Sequence, residues 1–220
     1  MRRGSGCSAR GPVWFRAGSC RSKIERMGVN DTMATAFPAR EEAWSLLCEW
    51  TESPGLRAHG LAVEAAMRAY AQQFGEDVEY WGSVGLLHDF DYEQFPDAPD
   101  HPTKGGEELR RRAYSEPFVR AILSHADYLG LPRLSRLEKT LFAVDELCGL
   151  TMATALVMPN RSLAEVTADG VLRKMKSKGF ARKINREDIL RGAEELGIPI
   201  DIHASTVLRA LQKIAPTLGM

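Results

Sequence analysis

Long apolar runs are missing from this chain. No stretch approaches the roughly 20 apolar residues that a membrane-crossing helix needs, so no membrane partner is expected. Net charge is missing too: 29 basic and 29 acidic side chains balance. That balance gives no electrostatic footprint for a nucleic-acid polymer or an anionic membrane surface. Cysteine is scarce, with four residues and no two spaced as CxxC. This argues against a disulfide framework or a structural zinc module and reads as the reduced thiols of a cytoplasmic protein. Cys48 and Cys148 read as core filler. Alternation long enough for a convincing strand is absent, as is any internal repeat. What remains is a chain of 220 residues, long enough for a substantial core and written almost wholly in helical periodicity.

Its charge is unevenly placed. Residues 1–32 hold seven of the basic side chains and two of the acidic ones, which leaves 22 against 27 for residues 33–220. This first segment is rich in Gly and Ser and lacks periodicity, so it reads as a disordered basic extension. Its Arg-rich, acid-poor composition is that of an organellar transit peptide. The simpler expectation is upstream sequence ahead of a start at Met33 or Met27. Its longest apolar run, Val13-Trp14-Phe15, is too short for a secretory core.

Beyond it, amphipathic spacing predicts a helix over 40–51, with Trp44, Leu47 and Cys48 on one face, broken by Ser53-Pro54-Gly55. Further helices are predicted over about 57–74, ending at Gly75, and over about 78–88. Residues 91–103, with three prolines and three aspartates, read as a loop. Helical pattern resumes at about 104–113 and 117–128. Ser135 and Glu138 form a capping box for a long helix that stops at Pro159. Asn185 is a candidate N-cap for a helix over 186–196, and another is predicted over 203–215. The expected fold class is therefore all-α, a helical bundle with a core over 57–158 and a C-terminal helical part over 160–220.

The chemical signal lies in the order of histidines and acids. His88-Asp89 closes the apolar run Trp81-Gly82-Ser83-Val84-Gly85-Leu86-Leu87; His59 precedes it, His101 and His125 follow, and Asp145 sits inside another apolar helix. Burying an aspartate beside a histidine is costly unless something neutralises the charge, and a divalent cation does so directly. His and Asp suit borderline or hard divalent metals, and separate helices of a bundle can aim such ligands at one interior point. Taken singly, each histidine is more simply a hydrogen-bonded core or surface residue, and Asp145 a salt-bridge partner. His203 reads as structural or surface. Adjacent residues diverge by about 100° on a helix. His88 and Asp89 therefore serve one centre only where the helix ends, or two centres with the Asp as bridge.

His59, His88-Asp89 and Asp145 resemble the H…HD…D signature of the HD superfamily of metal-dependent phosphohydrolases. The wider context resembles a bacterial predicted-hydrolase branch of that superfamily over roughly residues 40–215. That context is Gly85-Leu86-Leu87-His88-Asp89-Phe90-Asp91-Tyr92-Glu93, then Ala143-Val144-Asp145-Glu146-Leu147, Lys176-Ser177-Lys178-Gly179-Phe180 and Asn185-Arg186-Glu187. The resemblance implies an HD domain over 33–220 with its metal site in the bundle interior. It implies one or two divalent ions (Mn, Fe, Co, Ni, Mg or Zn) held by His59, His88, Asp89 and Asp145. His101 and His125 occupy the interval where two-metal members carry two more ligands. The implied activity is hydrolysis of a small phosphorylated metabolite or nucleotide, a phosphomonoester or phosphodiester, by metal-activated water.

Asp89 joins the catalytic candidates as the bridging ligand, and Asp91 as the group orienting or deprotonating that water, or else as a cap for the turn. Lys104, before Gly105-Gly106, is a candidate phosphate contact. The basic stretch Arg173, Lys174, Lys176 and Lys178 is either a substrate lid or a solvated face. The same six ligands would serve a di-iron oxygenase resembling myo-inositol oxygenase. A degenerate site would leave a nucleotide-sensing module without catalysis.

Overall fold

The computed structural model describes residues 37–177 and 179–220. The basic extension, its alternative starts, Cys7 and Cys20 lie outside the described residues. Ten α-helices run α1 Arg40–Trp50, α2 Pro54–Phe74, α3 Val78–Leu87, α4 Asp100–Arg111, α5 Glu116–Leu123, α6 Arg136–Leu156, α7 Ala168–Met175, α8 Arg186–Leu196, α9 Ile200–Lys213 and α10 Ala215–Leu218. Two short 3₁₀ turns, Asp127–Leu129 and Leu163–Glu165, complete the pattern, and no strand occurs among the described residues. The fold is all-α, as the periodicity predicts.

The local reasons are legible at most helix ends. Ser53 Oγ accepts from the Leu56 amide and Pro54 opens α2, so the break after α1 is also the start of the next helix. Gly75, at φ 72°, closes α2 in the left-handed conformation. Asp77 caps α3 by accepting from Glu79 and Tyr80. Both halves of the Ser135–Glu138 capping box form at α6.

Three boundaries and one whole helix differ from expectation. The helix predicted to reach 128 ends at Leu123. There Ser124 Oγ donates to Ala121 O and the His125 ring N–H to Ile122 O, which takes up the last carbonyls. Helix α4 begins at Asp100, but His101 and Pro102 have non-helical dihedrals, so the regular helix starts just after them. Helix α9 begins at Ile200, three residues early. Helix α7 was not predicted: Thr167 caps it, yet only Val171 on it is fully buried.

The core runs along α2, α3 and α6, with Tyr70, Met67, Leu86, Leu87, Phe90, Phe118, Leu141, Leu147 and Leu150 fully buried. Helix α2 packs against α3, α6 and α9, and α6 also carries α8. Two glycines set the spacing. A Cβ on Gly85 would lie 2.9 Å from Met67 Cγ and 3.0 Å from Val63 O, and one on Gly192 would lie 2.6 Å from Ala143 Cα. The first lets α3 lie close on α2 just before His88; the second does the same for α8 on α6, two residues before Asp145. Cys148 is buried and Cys48 half-buried, both as free thiols. No helix among the described residues is long and apolar enough to cross a membrane.

His203 is fully buried and ties three helices together. Tyr70 Oη donates to its Nδ1 at 2.6 Å, and its Nε2–H donates to Ala143 O at 2.9 Å. Accepting at Nδ1 requires the neutral ring, and burial lowers its pKa below the ordinary 6.5. The unfolded chain therefore binds a proton that the folded chain refuses. This contribution is complete above pH 6.5 and is lost as pH falls towards the lowered value. Denaturant titration in chelator should find His203→Gln less stable by about 1–3 kcal/mol at pH 8, with the gap to wild type narrowing at pH 5.5. A gap independent of pH would contradict the neutral-ring assignment.

Candidate metal centre

His59 lies in the second turn of α2, where the helix faces the end of α3 and the middle of α6. His88 follows the last residue of α3 with helical dihedrals (φ −60°, ψ −37°), and Asp89 continues into the turn beyond. Asp145 sits at the middle of α6, His101 in the kinked start of α4, and His125 in the turn after α5. Five segments thus each send one ligand, or a pair, to one interior point.

The six side chains form two groups that share one residue. His59, His88, Asp89 and Asp145 make the first, and Asp89, His101 and His125 the second; both are positioned to hold a metal ion. In the first group His59 Nε2 is 3.0 Å from Asp145 Oδ1, while His88 Nε2 stands 3.4 Å from both Asp145 Oδ1 and Asp89 Oδ2. In the second, His101 Nε2 and His125 Nε2 lie 3.2 and 3.1 Å from Asp89 Oδ1. Asp89 therefore turns one oxygen to each group.

The donor chemistry fits a cation. His88 is fully buried, its Nδ1–H donates to Gly85 O at 2.8 Å, and its Nε2 has no hydrogen-bond partner. An unpartnered buried nitrogen costs about 1–3 kcal/mol, and a ring fixed at one nitrogen offers its other lone pair to a metal. His125 is held the same way through Ile122 O at 2.7 Å. Two nearly touching ring nitrogens, His101 Nε2 and His125 Nε2 at 3.3 Å, also fit convergence on a common ion.

Electrostatics say the same. Burial alone would lower the His88 pKa, but Asp89 and Asp145 hold it well above its ordinary value. His101 is pushed up to about 9 by Asp89 and Asp91 against the same burial. Burial would raise the carboxylates Asp89 and Asp145, yet His88 and the other imidazoles hold both far below the usual range. The site keeps its carboxylates ionised and demands positive charge beside them.

Asp91 is fully buried and faces away from the cavity. Its Oδ1 accepts from His101 Nδ1 at 2.8 Å and its Oδ2 from the Gly105 amide at 2.7 Å. Both oxygens are engaged with protein, so its place is behind His101 rather than beside a water. Lys104 is not on the cavity wall; its Nζ pairs with Glu107 at 3.0 Å. The Arg173 and Lys174 side chains line a separate groove with Thr154, Met158 and Thr167.

The ligands open into a cavity of about 450 Å³ whose walls include Tyr92, Tyr128, Phe142, Glu146 and Lys183. Tyr128 Oη donates to His101 O at 2.5 Å, and the Tyr92 ring stands edge-on to the His101 ring. Glu146, raised to about 7 by burial and by Asp145, was not singled out from the sequence; its place next to Asp145 was the available signal. Lys183 carried no sequence signal, since a lone Lys in a polar turn is ordinary.

The Asp91 geometry generates a test. Replacing Asp91 with Ala frees the His101 ring, and affinity for metal should fall about 10–100-fold, measured by competition with a chromogenic chelator. Unchanged affinity would remove Asp91 from any supporting role.

No curated protein and no solved structure matches this chain. The family model of the HD domain matches residues 56–150, a span that begins just before His59, ends just after Asp145, and contains every member of both ligand groups. Residues 56–150 of this chain match the HD domain.

Proposed function

We propose that this protein is a metal-dependent phosphohydrolase acting on a small phosphorylated metabolite or nucleotide. The observation that carries the reading is Asp89, with one oxygen towards each of two histidine groups, an arrangement suited to holding two divalent ions. His59, His88 and Asp145 would hold one ion with Asp89, and His101 and His125 the other. Bound there, the ions supply Lewis acidity and acidify water towards neutrality, so a strong protein base is unnecessary.

The protein's own contribution is placement. His88, fixed through Gly85 O, and His125, fixed through Ile122 O, present Nε2 without needing to reorient. Asp91 holds His101 in the matching tautomer and draws its register from the Gly105 amide. His59 Nε2 lies 3.0 Å from Asp145 Oδ1, which brings α2 and α6 together at the site. The cavity accommodates a small phosphoester, and Tyr92, Tyr128 and Phe142 give it apolar walls that limit water around the reacting group.

Metal-loaded protein should release phosphate from members of a panel of small phosphoesters. Chelation should abolish the release, and His88→Ala should lower kcat/KM at least about 10³-fold. No release across a broad panel, with each of Mn, Fe, Co, Ni, Mg and Zn, would overturn the proposal. So would iron-dependent oxygen uptake without phosphate release, which would point to oxygenase chemistry.

A further inference from the structure

Among the described residues, Lys183 is the one lysine or arginine on the wall of the metal cavity, and it lies beyond the residues that match the HD domain. It has no hydrogen-bond or ion-pair partner among the described residues. The acids around it are already satisfied. Asp127 is ion-paired with both Arg133 and Arg191, and Asp188 with Arg191, while the Asn185 amide donates to Asp188 Oδ2 at 2.6 Å. Among the described residues that line the cavity, Lys183 therefore carries a lysine or arginine charge left without an acidic partner.

The turn that carries Lys183 is built rather than loose. Arg186 donates to the carbonyls of Ala181 at 2.9 Å, Ile184 at 2.6 Å and Phe180, so one guanidinium gathers the turn from within. Ile184 packs against the core, and the Asn185 backbone hydrogen-bonds Glu146 on α6, next to Asp145. The residues that follow Lys183 are thus anchored to the helix that carries Asp145, and those before it to Arg186. A flexible ammonium on a fixed turn is a point charge suited to a phosphate oxygen.

We propose that Lys183 is the cationic contact through which this cavity takes up the phosphate of its substrate, and that it favours the terminal phosphate of a monoester over the internal phosphate of a diester. The proposal rests on the hydrolytic reading for what the cavity is used for. The preference follows from charge: one cation attracts a dianion about twice as strongly as a monoanion at equal distance.

The experiment uses the full chain loaded with its metal, as wild type, Lys183→Ala, Lys183→Arg, and Lys213→Ala as an exposed control far along α9. Calorimetry reads the binding of inorganic phosphate. Steady-state kinetics read p-nitrophenyl phosphate against bis(p-nitrophenyl) phosphate. Lys183→Ala should weaken phosphate binding about tenfold and raise KM for the monoester more than for the diester, with kcat less affected. Lys183→Arg should recover most of the loss, and Lys213→Ala should match wild type. Phosphate affinity in Lys183→Ala within twofold of wild type would overturn the proposal, as would a wild type that binds no phosphate. An equal loss on both esters would overturn the monoester preference. Should wild type bind phosphate through Lys183 yet cleave neither ester, the hydrolytic reading fails and the anion contact stands. Should it cleave esters with Lys183→Ala unimpaired, the anion contact fails and the hydrolytic reading stands.

Discussion

Everything at the centre of this molecule depends on Asp89 standing between two sets of imidazoles. Its oxygens lie 3.1–3.4 Å from His125, His101 and His88, and Asp145 adds a second carboxylate on the side of His59. An ionised carboxylate away from water is tolerated only where positive charge meets it. Imidazoles provide some of that charge when protonated, and bound cations would provide it by accepting the imidazole lone pairs. The fixed Nδ1–H bonds of His88 and His125 leave those lone pairs free, so the site is organised as a set of donors in advance of any ligand.

Holding such a set together requires rigid support, and most of the fold supplies it. Gly85 lets α3 lie close on α2, which sets His88 against His59, and Gly192 brings α8 onto α6 near Asp145. His203 joins α2, α6 and α9 through Tyr70 and the Ala143 carbonyl. Arg133 and Arg191 lie over the Phe142 ring while pairing with Asp127, so apolar packing and charge compensation meet on one wall of the cavity. The part of the chain beyond residue 150 closes the cavity through the Lys183 turn.

Much of this was legible in the sequence, for identifiable reasons. Helices with an apolar stripe and an explicit cap, such as α6 behind Ser135 and α8 behind Asn185, announce both their type and their start. The candidate ligands drew notice in the sequence because apolar context around His88 and Asp145 makes their polarity conspicuous. Helix α7 escaped because it is eight residues long and buries a single residue fully, too short a stretch for periodicity to stand out. The early end of α5 escaped because it depends on side chains of Ser124 and His125 competing for carbonyls, which apolar spacing does not encode. Lys104 and Lys183 show the limit most clearly. The glycines after Lys104 suggested a phosphate contact, yet Gly105 gives its amide to Asp91 and Lys104 pairs with Glu107. Lys183 reaches the cavity only through tertiary placement of its turn.

The most direct test of the account is the metal content of gently purified protein, measured by elemental analysis for wild type and for Asp89→Ala. A shared carboxylate predicts two ions per chain in wild type and the loss of both from Asp89→Ala. A wild type holding a single ion, or an Asp89→Ala protein that keeps its full complement, would contradict it.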